Sequence, residues 1–106
     1  MDNKRRKSLS RCVSMLRASL DSNACEHAKT VIDDMLEEEE DARDNIPESL
    51  QETDRYYDSE EASEHMSNAI EYIEVAMENI SDDKMSDAKG MTDLAIEELT
   101  WIRGVR

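Results

Sequence analysis

The chain has 106 residues, 38% of them charged, and a formal net charge of −14. One proline, two glycines and no phenylalanine exclude a turn-rich all-β fold, and the supply of Glu, Ala, Met and Leu favours long helices in a single domain spanning residues 1–106. So anionic a surface is repelled by nucleic acid and acidic membranes, and no window reaches the roughly 18 apolar residues of a membrane span.

The first predicted element is one long helix over about residues 8–44. Leu9, Val13, Leu16, Leu20, Ala24, Val31 and Met35 recur mostly at steps of three and four, which is one helical face. Residues 1–20 hold six cations against Asp2 alone, a local +5, whereas residues 33–44 hold eight carboxylates against Arg43, a local −7. On one helix both clusters sit at the wrong end of the macrodipole. An antiparallel homodimer, with Lys4–Lys7 beside the Asp33–Asp44 end of a second copy, accounts for that layout; a monomer placing the basic start beside Glu78, Asp82 and Asp83 accounts for part of it. Cys12 and Cys25, thirteen residues apart on this helix, are expected about 20 Å from each other, beyond any disulfide. Free thiols and no apparent leader suggest a reducing cytoplasm.

Residues 45–53 form an elbow. Pro47 disfavours a helical Ile46 and suits the first turn of a new helix, and Ile46 and Leu50 are expected to pin the elbow to the bundle. A second helix over about 54–80 carries a heptad-like seam in Ala62, Met66, Ala69, Ile73, Ala76 and Ile80. A third, over about 83–103, repeats the pattern in Met85, Ala88, Thr92, Ala95, Leu99 and Ile102, and its Gly90 suggests close approach of another helix. The predicted fold is therefore all-α: an antiparallel three-helix bundle, or helical hairpin, with one long N-terminal helix. Disorder is the rival reading of so charged a chain, and the helical register of its apolar residues argues against it.

The chemistry of known sites is missing. Neither His27 nor His65 follows an acid by three positions, as a di-iron bundle requires, and the acidic run lacks the glycine of a calcium loop. Cys25 and His27 point nearly across a helix from each other, poor geometry for a nucleophile and its base. Glu61 and His65, one turn apart, read as a solvated pair. The chain is expected to be non-enzymatic, with no cofactor and no metal.

The positive candidate is charge. Residues 33–61 carry fourteen carboxylates against Arg43 and Arg55, a net of −12 that no core can hold. As a helix, the 33–44 segment matches the charge spacing of a nucleic-acid strand, and such a rod fits the cationic groove of a nucleic-acid-binding protein. The candidate partner-binding set is Asp33, Asp34, Glu37, Glu38, Glu39, Glu40, Asp41, Asp44, Glu48, Glu52, Asp54 and Asp58, with Tyr56 and Tyr57 as aromatic anchors. The competing reading makes those charges a solubilising face on a structural or adaptor coiled coil, which self-associates or takes up a partner helix through Ile73, Met77, Leu99 and Trp101.

One segment carries a family resemblance. Asp44-Asn45-Ile46-Pro47-Glu48-Ser49-Leu50-Gln51, between an acidic helix end and the Ala- and Glu-rich heptads of Glu60–Ile80, resembles small acidic helical proteins of phages and prophages of Gram-positive bacteria. The resemblance spans about two-thirds of the chain and implies a helical hairpin in a mobile-element setting. It implies no activity by itself; small acidic phage proteins more widely resemble inhibitors of host defence nucleases, and on that likeness an anti-CRISPR-like role in the host cytoplasm is expected. The basic start and the final Trp101–Arg106 segment lie outside the pattern.

Overall fold

In the computed structural model, which describes residues 1–106, the N-terminal apolar stripe is divided between two helices. Helix α1 is Asn3–Ala18 and α2 is Ser22–Asp44, which corrects the single helix expected over 8–44. Ser19 is extended (φ −143°, ψ 132°), and Asp21 caps α2 by accepting the Ala24 N–H at 2.7 Å. A side-chain cap of this kind contributes about 1 kcal/mol by satisfying a donor the helix start leaves open. The larger gain comes from folding back. Leu9, Val13 and Leu16 then share one core with Ala28, Ile32 and Met35, where a straight helix would leave much of its stripe wet.

After a 3₁₀ turn at Glu48–Leu50, α3 runs Asp54–Ser81 from its Thr53 cap, and α4 runs Met85–Thr100. Asp83, with φ 58°, turns the chain between them. Cross-helix contacts fix the directions. Arg5 meets Glu39 while Cys12 meets Ala28, and Arg43 meets Ser59 while Lys29 meets Glu74. His65 reaches Glu98 from α3 to α4, and Arg6 reaches the Arg103 carbonyl, closing the circuit back to α1. Four helices in an antiparallel ring thus replace the three-helix bundle expected from the sequence, in a body measuring 51 × 19 × 18 Å.

The ring changes five local expectations. The basic start of α1 lies against the acidic end of α2 in the same chain, so the electrostatic motive for a homodimer is met internally. Glu78, Asp82 and Asp83 sit at the opposite end of the bundle from Lys4–Lys7. Cys12 and Cys25 lie on the two arms of a hairpin, buried and free, and Cys12 Sγ donates weakly to the Ala28 carbonyl (3.8 Å). Gly90 is exposed, with nothing within 4 Å of where a Cβ would stand, so no helix approaches closely there. At the elbow Ile46 is half-buried, but Leu50 is exposed and pins nothing.

Candidate functional site

Successive residues on an α-helix are turned by about 100°. Cys25, Ala28, Ile32, Met35 and Glu39 therefore share the inner side of α2, and all five are buried. Asp33, Asp34, Glu37, Glu38, Glu40, Asp41 and Asp44 fall within an arc of about 160° on the other side, and every one is exposed. The row is about 17 Å long at 1.5 Å per residue, or roughly one carboxylate per 2.4 Å. Duplex DNA offers one charge per about 1.7 Å of axis and one per about 3.4 Å along each strand. Within the row only Glu38 has a cation near it, Arg5 Nη1 at 3.9 Å.

Glu39 does not belong to this row. It is 2% exposed and points into the bundle, where it accepts from Arg5 Nε (3.1 Å) and from Ser59 Oγ (2.6 Å). Arg43 Nη1 in turn donates to Ser59 Oγ (3.3 Å), the Ser59 carbonyl (3.0 Å) and Ser63 Oγ (2.7 Å). A carboxylate in the core is tolerable because each oxygen has a donor and a guanidinium is at hand. The sequence carried the signal: Ile32, Met35 and Glu39 step by three and four along the buried stripe. The four-glutamate run masked it.

The other candidate residues are scattered in their environments. Glu48, Glu52, Asp54 and Asp58 are exposed around the elbow and the first turns of α3. Tyr57 is exposed and Tyr56 half-buried, their rings edge-on with centroids 6.2 Å apart. Of the residues proposed for self-association, Ile73 and Leu99 are wholly buried in the chain's own core and cannot touch a second copy. Met77 is half-buried, and Trp101 stands 58% exposed with its ring 5.6 Å from His65.

His65 is more than half of a solvated pair. Its Nδ1–H donates to the buried carboxylate of Glu98 (2.8 Å), which also receives Asn68 Nδ2 (3.5 Å), while Nε2 lies 3.6 Å from Glu61. Glu98 and its α3 partners are 30 or more residues apart in sequence, and no local pattern announces them.

The elbow end of the bundle holds a cleft of about 740 Å³, walled by both chain ends and the α2–α3 connection. Five arginines line it: Arg5, Arg6, Arg43, Arg55 and Arg103. Sequence reasoning did not find this cluster, because its members are spread from one end of the chain to the other and gathered only by the ring. No three His, Cys, Asp or Glu side chains converge as metal ligands would. Burial pushes the Cys12 thiol up to about 11, and burial followed by the charge of Asp21 raises that of Cys25. Both stay protonated at neutral pH and are poor nucleophiles. The backbone N–H of Arg5, donated to Asp2, holds that carboxyl below its ordinary value.

No helix is long and apolar enough to cross a membrane. No protein-family model, curated protein or solved structure matches the chain.

Proposed function

We propose that this is a non-enzymatic protein that binds a cationic nucleic-acid-binding protein through the outer face of α2 and keeps nucleic acid out of its groove. The observation that carries the reading is the row of seven exposed carboxylates on one arc of α2. Its charge spacing falls between that of a duplex and that of one of its strands. A body 51 Å long matches about 15 base pairs at 3.4 Å each. The resemblance to phage proteins makes a host defence nuclease the expected target. The adaptor reading is weaker, since Ile73 and Leu99 are committed to the chain's own core.

The test reverses four outer charges, Glu37→Lys, Glu38→Lys, Glu40→Lys and Asp41→Lys, and leaves Glu39 untouched. Proteins captured from host lysate on the parent chain should elute in steep salt steps and be displaced by duplex DNA. The captured nuclease should lose DNA cleavage when the parent chain is added and keep it when the variant is added. A folded variant that still binds and inhibits overturns the reading.

A further inference from the structure

The arginine-lined cleft is separate from the α2 face and opposite to it in charge. Its lining carboxylates are mostly spoken for: Asp2 and Glu39 lie beside Arg5, and Glu61 beside His65. Of the acids lining it, Asp58 alone has neither a cation nor an imidazole within ion-pair distance. Arg6 also lacks a carboxylate but spends its guanidinium on the Arg103 carbonyl and Asn3 Oδ1; Arg43, Arg55 and Arg103 line the cleft with no carboxylate partner either. In a chain of net charge −14, three such arginines lining one space need an explanation.

Arg43 is the most informative of the three. One of its nitrogens, Nη1, is held by three oxygens of Ser59 and Ser63, which fixes the plane of the guanidinium. Its Nη2 and Nε donors have no protein acceptor, and no buried side-chain donor is left orphaned, so they are open to solvent on a residue that lines the cleft. A clamped guanidinium with free N–H donors is a preorganised anion fork, suited above all to phosphate or carboxylate oxygens. Trp101 stands at the cleft's edge, 58% exposed and braced by the His65 ring at 5.6 Å, which leaves an indole face available for stacking. Asp58 lines the same space as an unpaired acceptor for a hydroxyl or an exocyclic amine. The volume of about 740 Å³ is within the usual range for small-molecule sites.

We propose that this cleft binds a nucleoside monophosphate, with Arg43, Arg55 and Arg103 on the phosphate, Trp101 stacked on the base and Asp58 on a ribose hydroxyl or base amine. The three kinds of group match the three parts of that ligand, and inorganic phosphate alone would use only the first.

Trp101 is the chain's single tryptophan, so its fluorescence reports on the cleft directly. At least one of adenosine, guanosine, cytidine and uridine monophosphates should quench it saturably in titrations of the full chain. Inorganic phosphate and the free nucleosides should bind at least about tenfold more weakly, since each lacks either the charge-assisted bonds or the stacking surface. Arg55→Gln, at an exposed position away from the core, should weaken nucleotide binding about tenfold with no change in thermal unfolding. Trp101→Leu, followed by equilibrium dialysis, should weaken nucleotide but leave phosphate unaffected. Absence of saturable binding for all four nucleotides overturns the proposal, as does phosphate binding as tightly as the nucleotides. Unchanged affinity in Arg55→Gln overturns it too.

Discussion

Glu39 is the sharpest place to test the division between outward and inward carboxylates. Glu39→Ala removes the anion that faces Arg5 and accepts from Ser59 inside the bundle. Removing one partner of a buried ion pair costs about 3–5 kcal/mol, because the other charge is left without compensation. Here Arg5 keeps Asp2 at 3.4 Å and Glu38 at 3.9 Å, which places the expected loss at the lower end, about 3 kcal/mol. For a domain of this size that corresponds to a fall in Tm of about 12 °C or more. Glu39→Gln keeps the shape and an acceptor for Ser59, and should lose roughly half as much. Glu38→Ala and Glu40→Ala, on the exposed arc, should move stability by no more than about 0.5 kcal/mol, with loss of like-charge repulsion favouring the Glu40 variant. Urea unfolding followed by far-UV circular dichroism measures all four. Equal midpoints for the Glu38, Glu39 and Glu40 alanine variants would refute the buried assignment.

The two glycines should respond in opposite directions. Gly90→Ala meets nothing within 4 Å on an exposed helix position, and should raise stability by about 0.5–1 kcal/mol. Gly104→Ala puts a Cβ 2.7 Å from Arg6 Cδ at φ +89° and should lower stability by about 1–2 kcal/mol. Thermal unfolding of both variants checks the pair. Alkali offers a further test. Burial lifts the Cys12 thiol from 9.0 to about 11, so across that interval the folded chain keeps a proton that the unfolded chain has released. Stability from this thiol is whole below pH 9.0 and lost as pH climbs towards about 11, a fall of about 2–3 kcal/mol. The difference in urea midpoint between parent and Cys12→Ala, followed through that range, isolates its contribution.

Local periodicity was readable because it depends on neighbours in sequence. The alternating steps of Ala62–Ile80 and Met85–Ile102 specify helices wherever they pack; α3 follows them closely, while α4 stops at Thr100, short of the expected 103, and leaves Ile102 in the turn beyond it. Exposure of most of the acidic block was equally inevitable, since no core of this size can hold so many carboxylates. The break between α1 and α2 was harder. Leu16, Leu20 and Ala24 keep helical spacing straight through it, and only the capping chemistry of Asp21 and Ser22 marks a new start.

What the sequence determined on its own was therefore an all-helical chain with one strongly anionic helix, because side-chain period and the solvation of charge are decided residue by residue. The tertiary structure decided which glutamate of Glu37–Glu40 turns inward, which way the basic N-terminal helix folds, and that Arg43, Arg55 and Arg103 face one cleft. Those outcomes depend on the ring closing α4 onto α1, and contacts between residues at opposite ends of a chain leave no periodic trace along it.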